Sequence, residues 1–293
     1  MTNRLPPPAR PRSIARRTPW WIAGLLVLCA QSARGQSFEI ELGAFWALSS
    51  TDLTVYDPIF EQDRLLNFES ELNLPHNQTL AYLDLEYRFQ PRHMIYLDWR
   101  RLHRTGENHG VMDPFQFTWD NQRYQVDTGS YLATELNVDI VRFGYGYRFY
   151  QSEKIAADLL TGLHFTHLKL GFRGDLEMTA APTHVPGSYS ELHLEVANSV
   201  TAPLPSLGLQ MEYQLGKKWQ IRSHLQAFYL SMGEISGWMG EAEIAARYHI
   251  TDALSVTAAY SYFQVGVDYQ PEYSDLNVTH RFYGPMAKLA YRF

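Results

Sequence analysis

Apolar and polar residues alternate one by one over much of the chain after residue 35. In the stretch 206–215, leucine, methionine and tyrosine occupy the odd positions, while serine, glycine, glutamine and glutamate occupy the even ones. A two-residue period is typical of a β-strand with one apolar and one polar face. No helical stripe longer than a few turns interrupts the pattern, so we predict an all-β fold.

The alternation marks ten segments, each drawn as ten residues, which is about the length that a tilted strand needs to cross a membrane. They are 38–47, 80–89, 94–103, 140–149, 156–165, 206–215, 219–228, 241–250, 254–263 and 284–293. Eight or twelve strands are the alternatives, because the stretch 64–74 can add a pair.

The connections between these segments alternate in length. The tight ones are 90–93, 150–155, 216–218 and 251–253, and the long ones are 48–79, 104–139, 166–205, 229–240 and 264–283. Short periplasmic turns and long extracellular loops are typical of an outer-membrane barrel. We predict a transmembrane antiparallel β-barrel, with some strands continuing as hairpin arms near 115–119, 124–126 and 192–196.

Aromatic residues cluster beside the short turns, on the apolar face of the segments. They are Tyr87, Phe89, Tyr147, Phe149, Tyr213, Trp219, Tyr248, Tyr291 and Phe293. Amphipathic rings prefer the level of lipid headgroups, so this set predicts one interfacial girdle. A second set toward the long loops predicts the other: Trp46, Trp99, Phe165, Tyr229, Tyr260, Tyr262 and Tyr283.

The last segment, 283–293, carries alternate apolar residues and ends in Tyr291 and Phe293. It resembles the C-terminal strand of bacterial outer-membrane β-barrels, whose terminal aromatic residue is an assembly signal for the barrel assembly machinery. The stretches 201–209 and 281–285 also resemble a group of uncharacterised proteobacterial outer-membrane proteins. This resemblance implies a fold and a location in the outer membrane, but it does not imply any particular activity.

The first 35 residues differ from the rest, with six arginines, no acid and an apolar run from Trp20 to Ala30. That run is too short for a transmembrane helix and is typical of a secretory signal peptide. Residues 33–35 form a small-x-small cleavage site, so we predict a signal peptide over 1–35 and a barrel domain over 36–293.

The mature chain is acidic. Six of the 25 basic residues belong to the signal segment, which leaves 19 basic and 31 acidic side chains and a formal charge of −12 over residues 36–293. This balance argues against nucleic acid as a partner, because binding there needs Lys and Arg on phosphates. The expected partners are outer-membrane lipid and lipopolysaccharide, besides the assembly machinery. The acidic long loops either bind divalent cations or a partner at the surface, or act as inert shielding.

Charged residues on the polar phase of the segments are predicted to face the lumen. The acids are Glu39, Glu41, Asp84, Glu86, Asp98, Asp158, Glu212 and Glu243, and the bases are Arg88, Arg100, Arg142, Arg148, Arg222, Arg247, Lys288 and Arg292. Balanced charge in a narrow interior favours ion pairs that fill it. The preferred function is therefore a non-enzymatic structural or surface-interaction barrel, and the alternative is a narrow channel for small solutes.

An enzyme at the barrel rim is the third possibility. His164 is in the polar phase whereas His167 points to the other side, which splits the pair as a metal site or catalytic dyad. Glu191, His193 and Glu195 share one face of a strand arm, where such residues are more often solvated than metal-bound. We predict no catalytic, cofactor or metal residues, and the sequence indicates neither substrate nor oligomeric state.

Overall fold

The computed structural model describes residues 36–119, 122–179, 191–232, 235–269 and 276–293. The predicted signal peptide, 1–35, lies outside these residues. The elements are β1 Ser37–Asp57, β2 Gln62–Asn67, α1 Phe68–Glu71, β3 Asn77–Gln90, β4 His93–Asn108, β5 Phe115–Trp119, β6 Gln122–Val126, β7 Leu132–Gln151, β8 Ile155–Thr179, β9 Glu191–Gln214, β10 Trp219–Met232, β11 Ile235–His249, β12 Leu254–Tyr269 and β13 Leu276–Arg292.

Ten of these strands close an antiparallel barrel in the order β1, β3, β4, β7, β8, β9, β10, β11, β12, β13. The ring closes where β13 pairs with β1, from Glu39 opposite Arg292 to Leu53 opposite Val278. The predicted ten-strand barrel is confirmed. The stretch 64–74 adds no pair to the ring, because β2 pairs only with the distal end of β1 and α1 follows it.

The strands of the barrel extend far beyond one membrane width on the long-loop side. β8 has 25 residues and β9 has 24, and they stay paired from Ile155–Tyr213 to Glu177–Glu191. The predicted arms near 115–119, 124–126 and 192–196 are confirmed as β5, β6 and the start of β9. Much of the stretches 166–205, 229–240 and 264–283, predicted as loops, is strand, because the ladders continue outside the membrane.

Outward-facing side chains mark where the membrane band ends. Trp99, Val141 and Phe165 form one cross-strand row on β4, β7 and β8. Arg101 and Asp139 lie in the next row away from the short turns. The wall thus changes from apolar to charged within one row, as expected at the outer edge of a hydrocarbon layer.

Toward the periplasmic end, aromatic rings contact one another along the rim. Trp219 and Tyr248 have ring centroids 4.9 Å apart, and the rings of Tyr291 and Phe293 are 4.8 Å apart. Between the two aromatic levels, leucines such as Leu159 and Leu225 face outward and are exposed. Within the described residues, no helix is both long and apolar enough to cross a membrane.

The extracellular half of the barrel has a hydrophobic core, which we call the cap. The hairpin β5–β6 joins β1 to β8, and α1 folds inward beneath it. Phe68 of α1 is fully buried, and its ring lies 6.0 Å from that of Phe172 on β8. The ring of Phe117 on β5 lies 5.0 Å from that of Phe172. Apolar side chains therefore close the end of the lumen.

Candidate functional site

The lumen below the cap contains a layer of charged side chains near the periplasmic end. Nη1 of Arg247 donates to Oε1 of Glu39 at 2.6 Å, and the same guanidinium donates to Glu41. Arg292 also donates to Glu39, at 2.7 Å. Arg247 is among the most buried large side chains of the described residues, so these hydrogen bonds satisfy a guanidinium that water does not reach.

Arg222 occupies the centre of this layer. Its Nη2 donates to Oε1 of Glu86 at 2.6 Å, while other guanidinium nitrogens lie 3.5 Å from Glu41 and 3.8 Å from Glu212. Arg222 is on β10 and Glu86 is on β3, which are five places apart in the ring of ten. This ion pair therefore spans the diameter of the barrel.

A third group surrounds Asp158. Arg148 donates to both of its carboxylate oxygens at 2.8 Å, and Nη2 of Arg88 donates at 3.1 Å. Arg148 also lies 3.5 Å from Glu212, which connects this group to Arg222. The charged layer is thus one continuous network.

A second layer lies closer to the cap. Arg142 donates to Asp98 on the neighbouring strand and to Oε1 of Gln226 across the lumen at 2.6 Å. Arg100 on β4 donates to Glu241 on β11, which is again five places away in the ring. Charge-assisted hydrogen bonds of this kind hold opposite walls together.

Lys288 completes the second layer. Its Nζ donates to Glu243 at 2.6 Å, lies 3.6 Å from Glu41 and sits over the ring of Tyr82 at 4.6 Å. All sixteen predicted lumen residues except Asp84 therefore take part in an ion pair among the described residues. The structure brings these fifteen together in two stacked layers.

Asp84 differs from the other lumen acids. Its carboxylate accepts a hydrogen bond from the hydroxyl of Tyr82 at 3.3 Å. Its partners in the strand register are both acids, Glu41 on β1 and Asp98 on β4. Glu241 brings the acids of the two layers to nine against eight bases, so Asp84 is the surplus carboxylate.

A small cavity lies between the two layers. Its volume is about 40 Å³, and charged residues line it, among them Asp84, Arg142 and Arg222. One water needs about 10–15 Å³ on this scale, so the space suits roughly three waters. Its walls are the ion pairs described above.

Glu241 was missed by the sequence analysis although it carries the same odd-numbered phase as Glu243. This alternation points Glu241 into the lumen, but Glu241 is the first residue of the predicted segment 241–250 and adjoins a predicted loop. The strand in fact begins at Ile235, which places Glu241 well inside it. His224 and Gln226 were also missed, since neutral polar residues in the inward phase were not considered.

A buried polar cluster in the cap was not predicted either. Glu69 of α1 accepts hydrogen bonds from Arg104 and from the backbone N–H of Thr51, the latter at 2.7 Å. The Thr51 hydroxyl also contacts Nδ1 of His280 at 2.9 Å. This cluster anchors α1 to three strands, β1, β4 and β13.

The cap cluster lies beyond the membrane band, because His280 is three residues past Tyr283 on β13. Burial, and after it the positive charge of Arg104, lower the pKa of His280 to about 3. Burial also lowers the pKa of Arg104, against the opposing effect of Glu69. The imidazole of His280 is therefore neutral in the folded cap.

The two histidines considered for catalysis or metal binding, His164 and His167, lie on opposite faces of β8. His164 is buried inside the barrel, whereas His167 is on the outer wall with Nδ1 at 2.8 Å from the hydroxyl of Thr201. Glu195 is exposed, and the side chains of Glu191 and His193 lie outside the described residues. Among the described side chains, no group of three acids, histidines or cysteines is arranged to hold a metal ion.

The two residues of the predicted assembly signal close the barrel at its periplasmic end. The backbone N–H of Phe293 donates to the carbonyl of Phe38 on β1 at 2.8 Å. Tyr291 is paired with Ile40 in the same ladder. The C-terminus is thus paired with the first strand of the barrel.

Comparisons with known proteins agree with this architecture. Residues 112–279 match the family model described as "Protein of unknown function, DUF481". No curated protein matches the chain.

Among solved structures, the outer-membrane protease OmpT from Escherichia coli superposes with a TM-score of 0.52 at 10% identity, covering 90% of this chain and 99% of OmpT. The transport unit of the autotransporter AIDA-I from Escherichia coli gives 0.38 at 9% identity, with 93% and 97% covered. The toluene transporter TodX from Pseudomonas putida gives 0.35 at 11% identity, with 89% and 91% covered. The likeness to OmpT shows a shared outer-membrane β-barrel fold.

Proposed function

The chain belongs to the DUF481 family, and we propose that it is a non-enzymatic outer-membrane barrel with a closed, charge-paired lumen and a structural or surface-interaction role. The observation that carries this proposal is the pair of contacts across the diameter, Arg222 with Glu86 and Arg100 with Glu241. A guanidinium that spans the lumen occupies the space through which a solute would pass.

The cap supports the same function with a second barrier of different chemistry. Ions crossing it would have to leave water for an apolar core built around Phe68, Phe117 and Phe172. Moving a charge into such an environment is costly. An ion or solute would therefore have to pass two successive barriers, the charged layers and the cap.

The outer-membrane location rests on the apolar band between two aromatic levels and on the fold shared with OmpT. The proposed partners are outer-membrane lipid, lipopolysaccharide and the barrel assembly machinery. Beyond the membrane, exposed apolar residues such as Ile59, Phe60 and Met112 favour a surface-interaction role.

A narrow channel for small solutes is the alternative, and conductance distinguishes the two. Purified barrel is inserted into a planar lipid bilayer, with insertion checked by a heat-modifiable gel shift of the same preparation. We expect a silent bilayer at physiological salt. Reproducible single-channel steps from the wild-type protein would favour the channel.

Two variants make the silent result informative. Replacing residues 66–74 by a glycine-serine linker removes the inward-folded part of the cap, and Arg222→Ser with Arg100→Ser removes the two spanning guanidiniums. We expect no conductance from the protein with either change alone, because the other barrier remains. The protein with both changes should give single-channel conductance.

A further inference from the structure

The barrel wall has a seam between β9 and β10. The ladder between these strands runs from Gln214 opposite Gln220 to Leu207 opposite Ala227 and ends there. Beyond Ala227, β10 pairs with β11 alone among the described residues, and β9 pairs with β8 alone. We call the two edges directly above the Leu207–Ala227 pair, residues 203–206 of β9 and 228–231 of β10, the outer seam.

The direction of the β9 backbone follows from two hydrogen bonds at its end. The N–H of Gln214 donates to Lys154 before β8, and the N–H of Leu215 donates to Trp219 on β10. Hydrogen-bonding groups alternate sides along a strand. Odd-numbered residues of β9 therefore direct their backbone nitrogens toward β10.

Two prolines explain why the ladder stops. Pro205 and Pro203 are the next odd-numbered residues after Leu207, and proline has no N–H to donate. Continuing the register would place them opposite Tyr229 and Ser231. The sequence thus removes two consecutive donors from one edge of the wall, and the outer seam is built into the chain.

The outer seam begins inside the membrane band. Pro205 is paired with Leu163 and Pro203 with Phe165, and both partners face outward among the apolar and aromatic side chains of the wall. The free edges therefore start at the depth of lipid hydrocarbon on the extracellular side.

An apolar groove of about 570 Å³ adjoins the seam on the lipid-facing surface. Leu207, Leu225 and Tyr262 are among its lining residues, with Ala227 and Gly240 between them. A Cβ placed on Gly240 would meet nothing within 4 Å, so the groove is deepest at the position where glycine lacks a side chain.

Apolar residues also separate the seam from the charged lumen. Leu204 is buried on the inner side of β9, and Phe228 of β10 packs against the hydrophobic core. Below them, Gln226 donates to the hydroxyl of Ser206 at 2.6 Å. A hydrocarbon chain in the groove would meet apolar side chains and not the ion pairs, whereas the backbone edges of the outer seam above it are polar.

We propose that the groove binds one acyl chain of lipopolysaccharide, and that the backbone edges of the outer seam above it face the polar linkage between this chain and the phosphorylated headgroup. The seam is on the side of the long connections, which faces outward in the proposed outer-membrane location, and the inference rests on that location. His167 and Lys169 on the adjacent β8 lie in the first two rows beyond Phe165. The partly exposed ammonium of Lys169 donates to Glu135 at 2.9 Å and keeps two further N–H groups for a phosphate.

The test measures lipid A bound to purified barrel by native mass spectrometry in detergent. Gly240→Leu fills the groove floor, and Ala287→Leu places the same leucine side chain at an exposed, outward-facing position on β13 as a control. We expect Gly240→Leu to weaken lipid A binding at least tenfold and Ala287→Leu to leave it unchanged. Equal binding by wild type and Gly240→Leu would overturn the proposal.

Two further measurements keep the proposal falsifiable. Palmitoyl-oleoyl-phosphatidylglycerol replaces lipid A in one arm, and equal or tighter binding of this phospholipid to the groove would overturn the assignment to lipopolysaccharide. In the other, Pro203→Val with Pro205→Val restores both donors. We expect slower amide exchange at β10 residues 229–231, because the ladder between β9 and β10 is extended, and weaker lipid A binding. Slower exchange with unchanged lipid A binding would contradict a role for the seam.

These outcomes are independent of the proposed closed lumen. Lipid binding is measured on the outer wall, whereas conductance reports on the interior. A conducting wild-type barrel that binds lipid A at the groove would refute the closed lumen and leave the lipid site standing.

Discussion

Arg222 and Glu86 project from opposite walls of the barrel and meet at 2.6 Å between Nη2 and Oε1. They are 136 residues apart in the chain and five strands apart in the ring. A contact of this kind fixes the distance between two walls, which backbone ladders around the circumference do not. The charged side chains of the lumen therefore hold opposite walls at a fixed separation and also occupy the interior volume.

The first prediction concerns the energy of this ion pair. Arg222→Met leaves Glu86 in a poorly hydrated interior, so we expect it to lower the free energy of unfolding by about 3–5 kcal/mol. Glu86→Gln should cost less, because Arg222 keeps Glu41 and Glu212. In the double variant the costs should be less than additive, with a coupling of about 1–3 kcal/mol in urea unfolding from detergent.

A matched control is the exposed pair of Lys169 and Glu135 on the outer wall, which is joined at 2.9 Å. Removing either side chain should cost no more than about 1 kcal/mol, because water screens the survivor. Additive effects at Arg222 and Glu86 would mean that the lumen is hydrated.

The second prediction compares two aspartates that face each other in the β3–β4 register, Asp84 and Asp98. Asp98→Asn removes one of the two carboxylate partners of the buried Arg142 and should cost about 3–5 kcal/mol. Asp84→Asn removes the surplus carboxylate from among acids and should change the unfolding free energy by less than about 1 kcal/mol, or raise it. Thermal unfolding of both variants in the same detergent checks this; equal losses would show that Asp84 has a cationic partner.

The strand pattern could be predicted from the sequence because a two-residue period is local. Leu209 and Gln210 need only alternate to define two faces. The partners of the lumen charges could not be predicted, since they depend on strand order and barrel diameter. Arg222 and Glu243 are on neighbouring strands, yet Arg222 bonds to Glu86 across the lumen while Glu243 bonds to Lys288.

The cap was beyond prediction for a related reason. Glu69 lies in the first long connection, 48–79, for which the sequence predicts an acidic loop or, over 64–74, an additional pair of strands. The burial of Glu69 depends on Arg104 and Thr51, which belong to two other strands. An acid in a loop has the same local signal whether it faces solvent or a buried arginine.

A third prediction tests the orientation of the strands in the membrane. Leu225 and Ser231 both face outward on β10, but Leu225 lies within the apolar band and Ser231 lies past Tyr229. Leu225→Arg should lower stability by about 2–4 kcal/mol and Ser231→Arg by about 0–1 kcal/mol. Folding titrations into lipid vesicles measure both. The reverse order would show that the membrane band is misplaced.

The fourth prediction concerns assembly. Phe293 is both part of the rim and the expected end of the assembly signal, so its deletion should reduce insertion in cells more than it reduces the stability of refolded barrel. The yield of the compact, heat-modifiable band measures insertion. Phe149→Ala removes another exposed rim aromatic and should leave the yield unchanged. Similar losses for both variants would assign Phe293 a packing role alone.

The last prediction concerns acid stability of the cap. Burial lowers the pKa of His280 to about 3, against an ordinary value of 6.5, so the unfolded state binds a proton that the folded cap excludes. The groups facing His280 are the hydroxyl of Thr51, the backbone of Ser50, the guanidinium of Arg104 and the ring of Phe282. Among them Arg104 also opposes protonation by its charge.

Because the unfolded state takes up the proton, His280 stabilises the cap above about pH 6.5, and this contribution is lost as the pH falls toward 3. The slope should approach 1.4 kcal/mol per pH unit, roughly one proton. His280→Gln removes the titrating imidazole and therefore this pH-dependent contribution to the stability of the cap. Amide exchange in β5, β6 and α1 between pH 4 and 7 should therefore show a shallower pH dependence in the variant. Parallel profiles for wild type and His280→Gln would mean that another group controls the acid sensitivity of the cap.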